Sequence, residues 1–520
     1  MSARTPWRVA LVLAVAGLAV WRAACVVAGA DIDTDAYAHH MIARAILANP
    51  GDLAVHWVWL PLFHYVQVPL VALGGSIEFV RWTNVALSAG LPFVLFVHVR
   101  RTARSIDAKV PPDATALLAA LFAGACPIAM QMGTTAQPEP LFALLVLGVA
   151  ITFERRRYGL SAAMLGASVM LRYEAWATMA VIAGILVVEP WWRRRRRLPV
   201  ESGDSEHRWT VVVIPAALIM IWALLRRPVD GKWFGFLRET HAFAAEAMRT
   251  KSPLDRGLLS LMADLVDYPV VVPCRIFGPL VALVPFGVLR TMRQQGTRFA
   301  LVLLAPLAFI SLTWMMRASL GLDRHFVAVV PLYATFAAQG VAVIADWVTR
   351  LARPKMPNES TATLPPDQRD ERSRLVGCTT AWALGLSSLI GLGVQLESWM
   401  NAWRGSIAHG WPERSALGAY LRSLPDAPTI FCDDATLEII SRLDRRRFDR
   451  HWVDDPHTWE LVDELARSTG VTYVATWRRK LRGHEDAGDI VFRAGFDSAD
   501  EANTGVAVMR VARDGARFER

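Results

Sequence analysis

The densest set of residues able to do chemistry is Asp31-Ile32-Asp33-Thr34-Asp35-Ala36-Tyr37-Ala38-His39-His40, directly after the first apolar run. Three carboxylates spaced by two residues at a membrane surface repel one another, which favours holding a proton or a cation there. That is the property a general base needs. The same stretch has a bland reading of equal weight, an acidic solvated loop in which Asp35 caps a helix Ala36–Leu47. Further polar residues stand at the ends of later apolar runs: Gln137-Pro138-Glu139, Arg172-Tyr173-Glu174 and Asp323-Arg324-His325. Ionisable side chains at membrane depth are costly and usually line a cavity or a pathway. Singly, each has an ordinary explanation: Glu139 as a helix N-terminal acid, Arg324 snorkelling, Arg172 paired with Glu174. Jointly they offer a base on one side and phosphate-binding guanidinium groups on the other.

The elements that must position these residues are membrane spans. In 520 residues, 53% are hydrophobic and only 20% charged, with a mean hydropathy of +0.30, which excludes a mainly soluble enzyme. The net charge of +9 comes from arginines at the ends of apolar runs, so it reflects topology and not nucleic-acid binding. Apolar runs at Trp7–Gly29, Trp82–Val99, Ala114–Met130, Leu141–Phe153, Leu160–Leu171 and Ala175–Val188 predict the first six spans. Trp209–Leu225, Val270–Leu289, Ala300–Trp314, Phe326–Val348 and Val376–Leu396 make eleven. Basic clusters follow every even-numbered run, among them Arg155 to Arg157 and Arg193 to Arg197, which sets the N-terminus in the cytoplasm and the C-terminus outside. This holds only if Leu60–Gly75 does not cross, so Ala30–Phe79 reads as one outside segment with helices lying in the interface.

The expected architecture is an α-helical polytopic membrane protein with about eleven transmembrane helices over residues 1–400. Its first extracytoplasmic loop, 30–80, carries juxtamembrane helices, and residues 401–520 form a small extracytoplasmic α/β domain. Strand-like runs in that domain lie at Thr429–Cys432, Val471–Thr476, Ile490–Arg493 and Val506–Val511. Helical periodicity occupies Glu413–Leu424, Leu437–Leu443 and Thr458–Arg467. The five cysteines show no CxxC pairing and support neither a zinc site nor a disulfide framework.

Five motifs, taken in this order and topology, resemble the GT-C superfamily of polytopic glycosyltransferases. They are Asp33-Thr34-Asp35-Ala36-Tyr37, Trp59-Leu60-Pro61-Leu62 leading to His64, Gln137-Pro138-Glu139-Pro140-Leu141, Arg324-His325 and Pro331-Leu332-Tyr333. The resemblance is to the protein mannosyltransferase and aminoarabinose transferase group, which uses polyprenyl-phosphate sugars, and it covers the whole chain in architecture. The Asp-Glu pair typical of the mannosyltransferases appears here as Asp33-Thr34-Asp35, and the WWD-type motif of oligosaccharyltransferases is absent. The resemblance implies an inverting, single-displacement transfer on the extracytoplasmic face, with Asp35 or Asp33 deprotonating the acceptor. It further implies that Arg172, Glu174, Arg324, His325, Glu139, His64 and Tyr37 bind the donor phosphate and substrate. No cofactor is required by such a scheme, although a divalent metal held by Asp33 and Asp35 stays open. The implied partners are a polyprenyl-phosphate sugar donor, a glycan, lipid or protein acceptor, and membrane lipids, with no nucleic acid. The competing class is a polytopic transporter or lipid-sugar flippase, which should instead carry ionisable residues near mid-span and inverted repeats.

Overall fold

The computed structural model describes residues 5–29, 31, 33–103, 110–195, 207–248, 257–351, 366–424, 429–432, 443, 448–449, 456–469, 471–477, 481, 484–494 and 505–512. The chain divides into two compact units, one made of Met1–Ala28 and Ala45–Ser398, the other of Gly29–Arg44 and Trp399–Arg520.

In the first unit, α1 (Thr5–Ala28) is followed by α2 (Thr34–Ala48), which begins in the second unit and ends in the first. Next come α3 (Leu62–Ala72), α4 (Ile77–Thr102), α5 (Pro112–Gly124), α6 (Pro127–Met132), α7 (Glu139–Glu154), α8 (Tyr158–Val169) and α9 (Glu174–Arg195). The series continues with α10 (Thr210–Asp230), α11 (Gly235–Met248), α12 (Leu258–Val266), α13 (Val272–Phe277), α14 (Val284–Gln294), α15 (Thr297–Met315) and α16 (Val330–Leu351), and α17 (Pro366–Ser423) begins in the first unit and ends in the second. Eight of the described helical stretches are long and apolar enough to cross a membrane, and the chain is an integral membrane protein. The expected spans at Ala114–Met130, Leu141–Phe153 and Leu160–Leu171 fall on shorter helices. At 13, 16 and 12 residues, α5, α7 and α8 reach only about 18–24 Å, less than a hydrocarbon core. The first of these runs is cut where Pro127, which cannot donate to the preceding turn, starts α6. Leu60–Gly75 contains only the 11-residue α3, about 16 Å long and interrupted by Pro69.

The run Val270–Leu289 is also segmented. The stretch Leu258–Gln294 combines α12, a π-turn at Asp267–Val271, α13, a 3-10 segment at Gly278–Leu283 and α14. Close helix approach explains its packing on α16. A Cβ on Gly287 would lie 1.7 Å from the Phe336 carbonyl oxygen, and one on Gly340 would lie 2.1 Å from that of Leu283.

The second unit holds a five-stranded sheet in the order β2-β1-β3-β5-β4, with β1 Ile430–Cys432, β2 Phe448–Asp449, β3 Val471–Trp477, β4 Asp489–Ala494 and β5 Val506–Ala512. Strands β2, β1 and β3 run parallel, and β3, β5 and β4 pair antiparallel. Helix α18 (Pro456–Thr469) supplies the crossover to β3 and buries Val462 and Ala466 with Phe431, Val474 and Met509. The four strand-like runs of the sequence are thus strands, while the two-residue β2 left no signal to read. The expected helix Leu437–Leu443 lies outside the described residues apart from Leu443; of the stretch Ala352–Arg374, whose Pro, Ser, Thr and charge read as a loop, residues 352–365 lie outside them and 366–374 are instead the first turns of α17.

Candidate functional site

Glu139 is the first residue of α7, where the helix N-terminus favours a negative charge. Arg172 and Tyr173 lie in the turn between α8 and α9, Glu174 is the first residue of α9, and Arg324 and His325 lie in the 3-10 segment Asp323–Val329 before α16. These five residues, drawn from three separated stretches of sequence, form one cluster. Arg172 Nη1 donates to Glu139 Oε1 at 2.5 Å, and its Nη2 and Nε donate to Glu174 Oε1 at 2.7 and 3.1 Å. Arg324 Nε stands 3.7 Å from Glu139 Oε1, and His325 Nδ1 stands 3.7 Å from Glu174 Oε1. The carboxylates are buried and the cations retain a little exposure, with Glu139 at 2% and Arg172 and Arg324 at 14%.

Burial alone would weaken the Arg172 guanidinium as a cation, but the Glu174 and Glu139 carboxylates outweigh it and push its pKa above the ordinary arginine value. Two forked guanidiniums and an imidazole around a common centre suit an oxyanion. Phosphate oxygens and carboxylates present the same acceptor geometry to arginine, so one can replace the other.

The turn carrying Arg172 and Glu174 is held from below by the first loop. Tyr173 Oη donates to the Val58 carbonyl at 2.7 Å and Leu62 N donates to the Met170 carbonyl at 3.0 Å. Arg226 at the end of α10 ties down the same loop, donating to the carbonyls of Leu53 at 2.6 Å and Trp57 at 3.1 Å while pairing with Asp230 at 2.6 Å. Trp57 sits at φ 47°, an uncommon conformation for a residue with a side chain, and the bond from Arg226 to its carbonyl helps hold it. His64 is placed in this loop: its Nδ1 is 2.8 Å from Nδ1 of His56, both residues are fully buried, and Trp59 stands edge-on to its ring. On the other side of the cluster, Tyr268 Oη donates to the Leu322 carbonyl at 3.2 Å and Arg275 pairs with Asp323, fixing the segment that carries Arg324.

Asp33, Asp35 and Tyr37 belong to the second unit. Helix α2 starts two residues earlier than the expected Ala36, because Asp33 and not Asp35 acts as its cap. Asp33 Oδ1 accepts from Asp35 N at 3.0 Å and the Asp33 carbonyl accepts from Ala36 N at 3.1 Å. Asp31 repeats the pattern, its Oδ1 accepting from Asp33 N at 3.1 Å. Asp35 thus stands in the first turn, where the helix dipole favours its negative charge. Tyr37 is buried. Among the described residues, no group of three or more His, Cys, Asp or Glu side chains is placed to hold a metal ion.

Arg22, Arg81, Asn84 and Ser88 lie outside the sequence expectations yet pack around the connection that precedes Glu139. Each is buried within a span, and Arg81, Asn84 and Ser88 follow helical spacing along one face of α4. Polar residues at i, i+3 and i+7 inside an apolar run were the available signal.

No family model matches the sequence, and no curated protein matches it. Among solved structures, ArnT from Cupriavidus metallidurans, crystallised with undecaprenyl phosphate bound, superposes with a TM-score of 0.56 at 15% identity, covering 98% of each chain. The apo crystal structure of the same protein gives a TM-score of 0.55 at 14% identity, again over 98% of each chain. The likeness covers both units and shows that the chain has the fold of ArnT.

Proposed function

We propose that this protein is a membrane glycosyltransferase that moves a sugar from a polyprenyl-phosphate-linked donor to an acceptor on the extracytoplasmic face. The observation that carries the reading is the convergence of Glu139, Arg172, Glu174, Arg324 and His325 into one buried, oxyanion-compatible cluster within a fold shared with a protein crystallised on undecaprenyl phosphate.

Sugar transfer from such a donor breaks the bond between the anomeric carbon and the phosphate oxygen. The leaving group is a phosphate monoester, and cations that neutralise it lower the barrier to its departure. Arg172 and Arg324 supply that charge, and Glu139 and Glu174 keep the guanidiniums aligned when donor is absent. The acceptor hydroxyl must lose a proton as it attacks from the opposite face, which inverts the anomeric configuration. Asp35 or Asp33 takes that proton. The Asp33 carboxylate also caps α2, and Asp35 stands in that helix's first turn. The arginine clusters at the ends of the apolar runs favour an N-terminus in the cytoplasm and residues 401–520 outside.

The reading is tested by comparing lipid-linked sugars and envelope glycans from cells with and without the intact protein. Accumulation of one polyprenyl-phosphate sugar together with loss of that sugar from one envelope glycan is the expected result. Unchanged pools of both would remove the transferase assignment.

A further inference from the structure

The six residues from Gly133 to Pro138 connect α6 to α7, and Thr134, Thr135, Ala136 and Gln137 are buried at 5%, 2%, 0% and 1% exposure. Buried irregular backbone is unusual because its carbonyls have no helix or strand partner and no bulk water. Here side chains from α4 provide the partners. Arg81 Nε donates to the Thr134 carbonyl at 2.7 Å. Asn84 Nδ2 donates to the Thr135 and Gln137 carbonyls, both at 2.7 Å, so both of its amide hydrogens are used. Arg22 passes over Gly133, where a Cβ would meet its Nε at 2.7 Å, and donates to the Gly124 carbonyl at 2.8 Å.

We propose that Asn84, with Arg81, is a positioning residue for the reaction: it fixes the Thr134–Gln137 backbone so that Glu139, two residues further on, meets Arg172 and Arg324. This rests on the transferase reading and adds to it residues that touch no substrate. Glu139 follows Pro138, whose φ is fixed by its ring, so the carboxylate has little freedom except through the backbone that Asn84 holds. A shift of that backbone moves the acid that orients Arg172 Nη1, and the guanidinium then turns toward Glu174 alone. Misplacement of a catalytic constellation by about 1 Å costs up to roughly 100-fold in rate.

The test is a double-mutant cycle on the full-length protein, combining Asn84→Ser with Glu139→Gln and reading kcat/KM for a polyprenyl-phosphate sugar. Undecaprenyl phosphate alone serves as a binding probe that needs no turnover. Asn84→Ser keeps a small donor that reaches at most one carbonyl, and Asn84→Ala removes both bonds. If Asn84 acts through Glu139, each single variant loses roughly 10- to 100-fold and the double variant is no worse than the weaker single. Multiplying losses would show that Asn84 contributes independently and would overturn the proposal. Failure of both Asn84 variants to fold would make it a stability residue and would also overturn it. A wild-type protein that neither transfers sugar nor retains undecaprenyl phosphate would instead reject the transferase reading on which the proposal stands.

Discussion

A carboxylate that caps a helix and a carboxylate that takes a proton respond differently to amidation. Asp33→Asn preserves the cap, since asparagine accepts the Asp35 N–H as well as aspartate does, and a lost cap would cost only about 1 kcal/mol. Removal of a general base costs roughly 100- to 10,000-fold in rate. Asp35→Asn is therefore expected to give well-folded, inactive protein and Asp33→Asn a milder loss, checked by transfer assays beside thermal unfolding. Near wild-type transfer by both would end the carboxylate assignment. For the cations, Arg172→Ala and Arg324→Ala should each weaken donor use by at least roughly tenfold in kcat/KM, read on a donor titration, because each removes a guanidinium from the proposed phosphate site. The span-end acids and arginines were legible in the sequence because burying a charge demands a reason. Arg81 and Asn84 showed only as polar residues at helical spacing in an apolar run, and nothing in the sequence names their partners, backbone carbonyls of a loop about 50 residues away.

Helices were legible where apolar runs were long, and their interruptions were less so. Pro127 marks the break between α5 and α6, but the π-turn at Asp267–Val271 has no comparably plain marker. Helix α3 is too short to span, so a cysteine placed near Ser76 is expected to react with an impermeant thiol reagent from the extracytoplasmic side. Reaction only from the cytoplasm would contradict both the topology and the placement of the first loop. The His56–His64 contact makes a separate prediction. It requires a bare Nδ1 facing an N–H, while burial first and the Arg226 charge second lower the His56 pKa to about 4. An unfolded His56 binds its proton near pH 6.5, so between about pH 6.5 and 4 the unfolded chain holds the extra proton and stability falls as pH falls. Trp222 and Tyr65 are the other rings packed on His56, and neither offsets that charge. Thermal unfolding in detergent should show a loss on the order of 3 kcal/mol across that window, reduced in His56→Gln.

At the scale of the whole chain, composition and arginine placement announced a polytopic membrane protein, and the order of degenerate motifs pointed to a GT-C-like architecture; the comparison shows the fold of ArnT over 98% of the chain. The sheet of the second unit was legible in four of five strands because each is a β-branched or aromatic run bounded by turn residues; β2, with two residues, carries no period. The central claim is that the polar cluster serves transfer of a lipid-linked sugar. Its most direct test is the purified protein in proteoliposomes supplied with polyprenyl-phosphate sugars and an envelope extract as acceptor, followed by release of polyprenyl phosphate. The account predicts release that depends on acceptor and is lost in Arg172→Ala and Asp35→Asn. Donor that crosses the bilayer intact, with no polyprenyl phosphate released, would contradict it and identify a flippase.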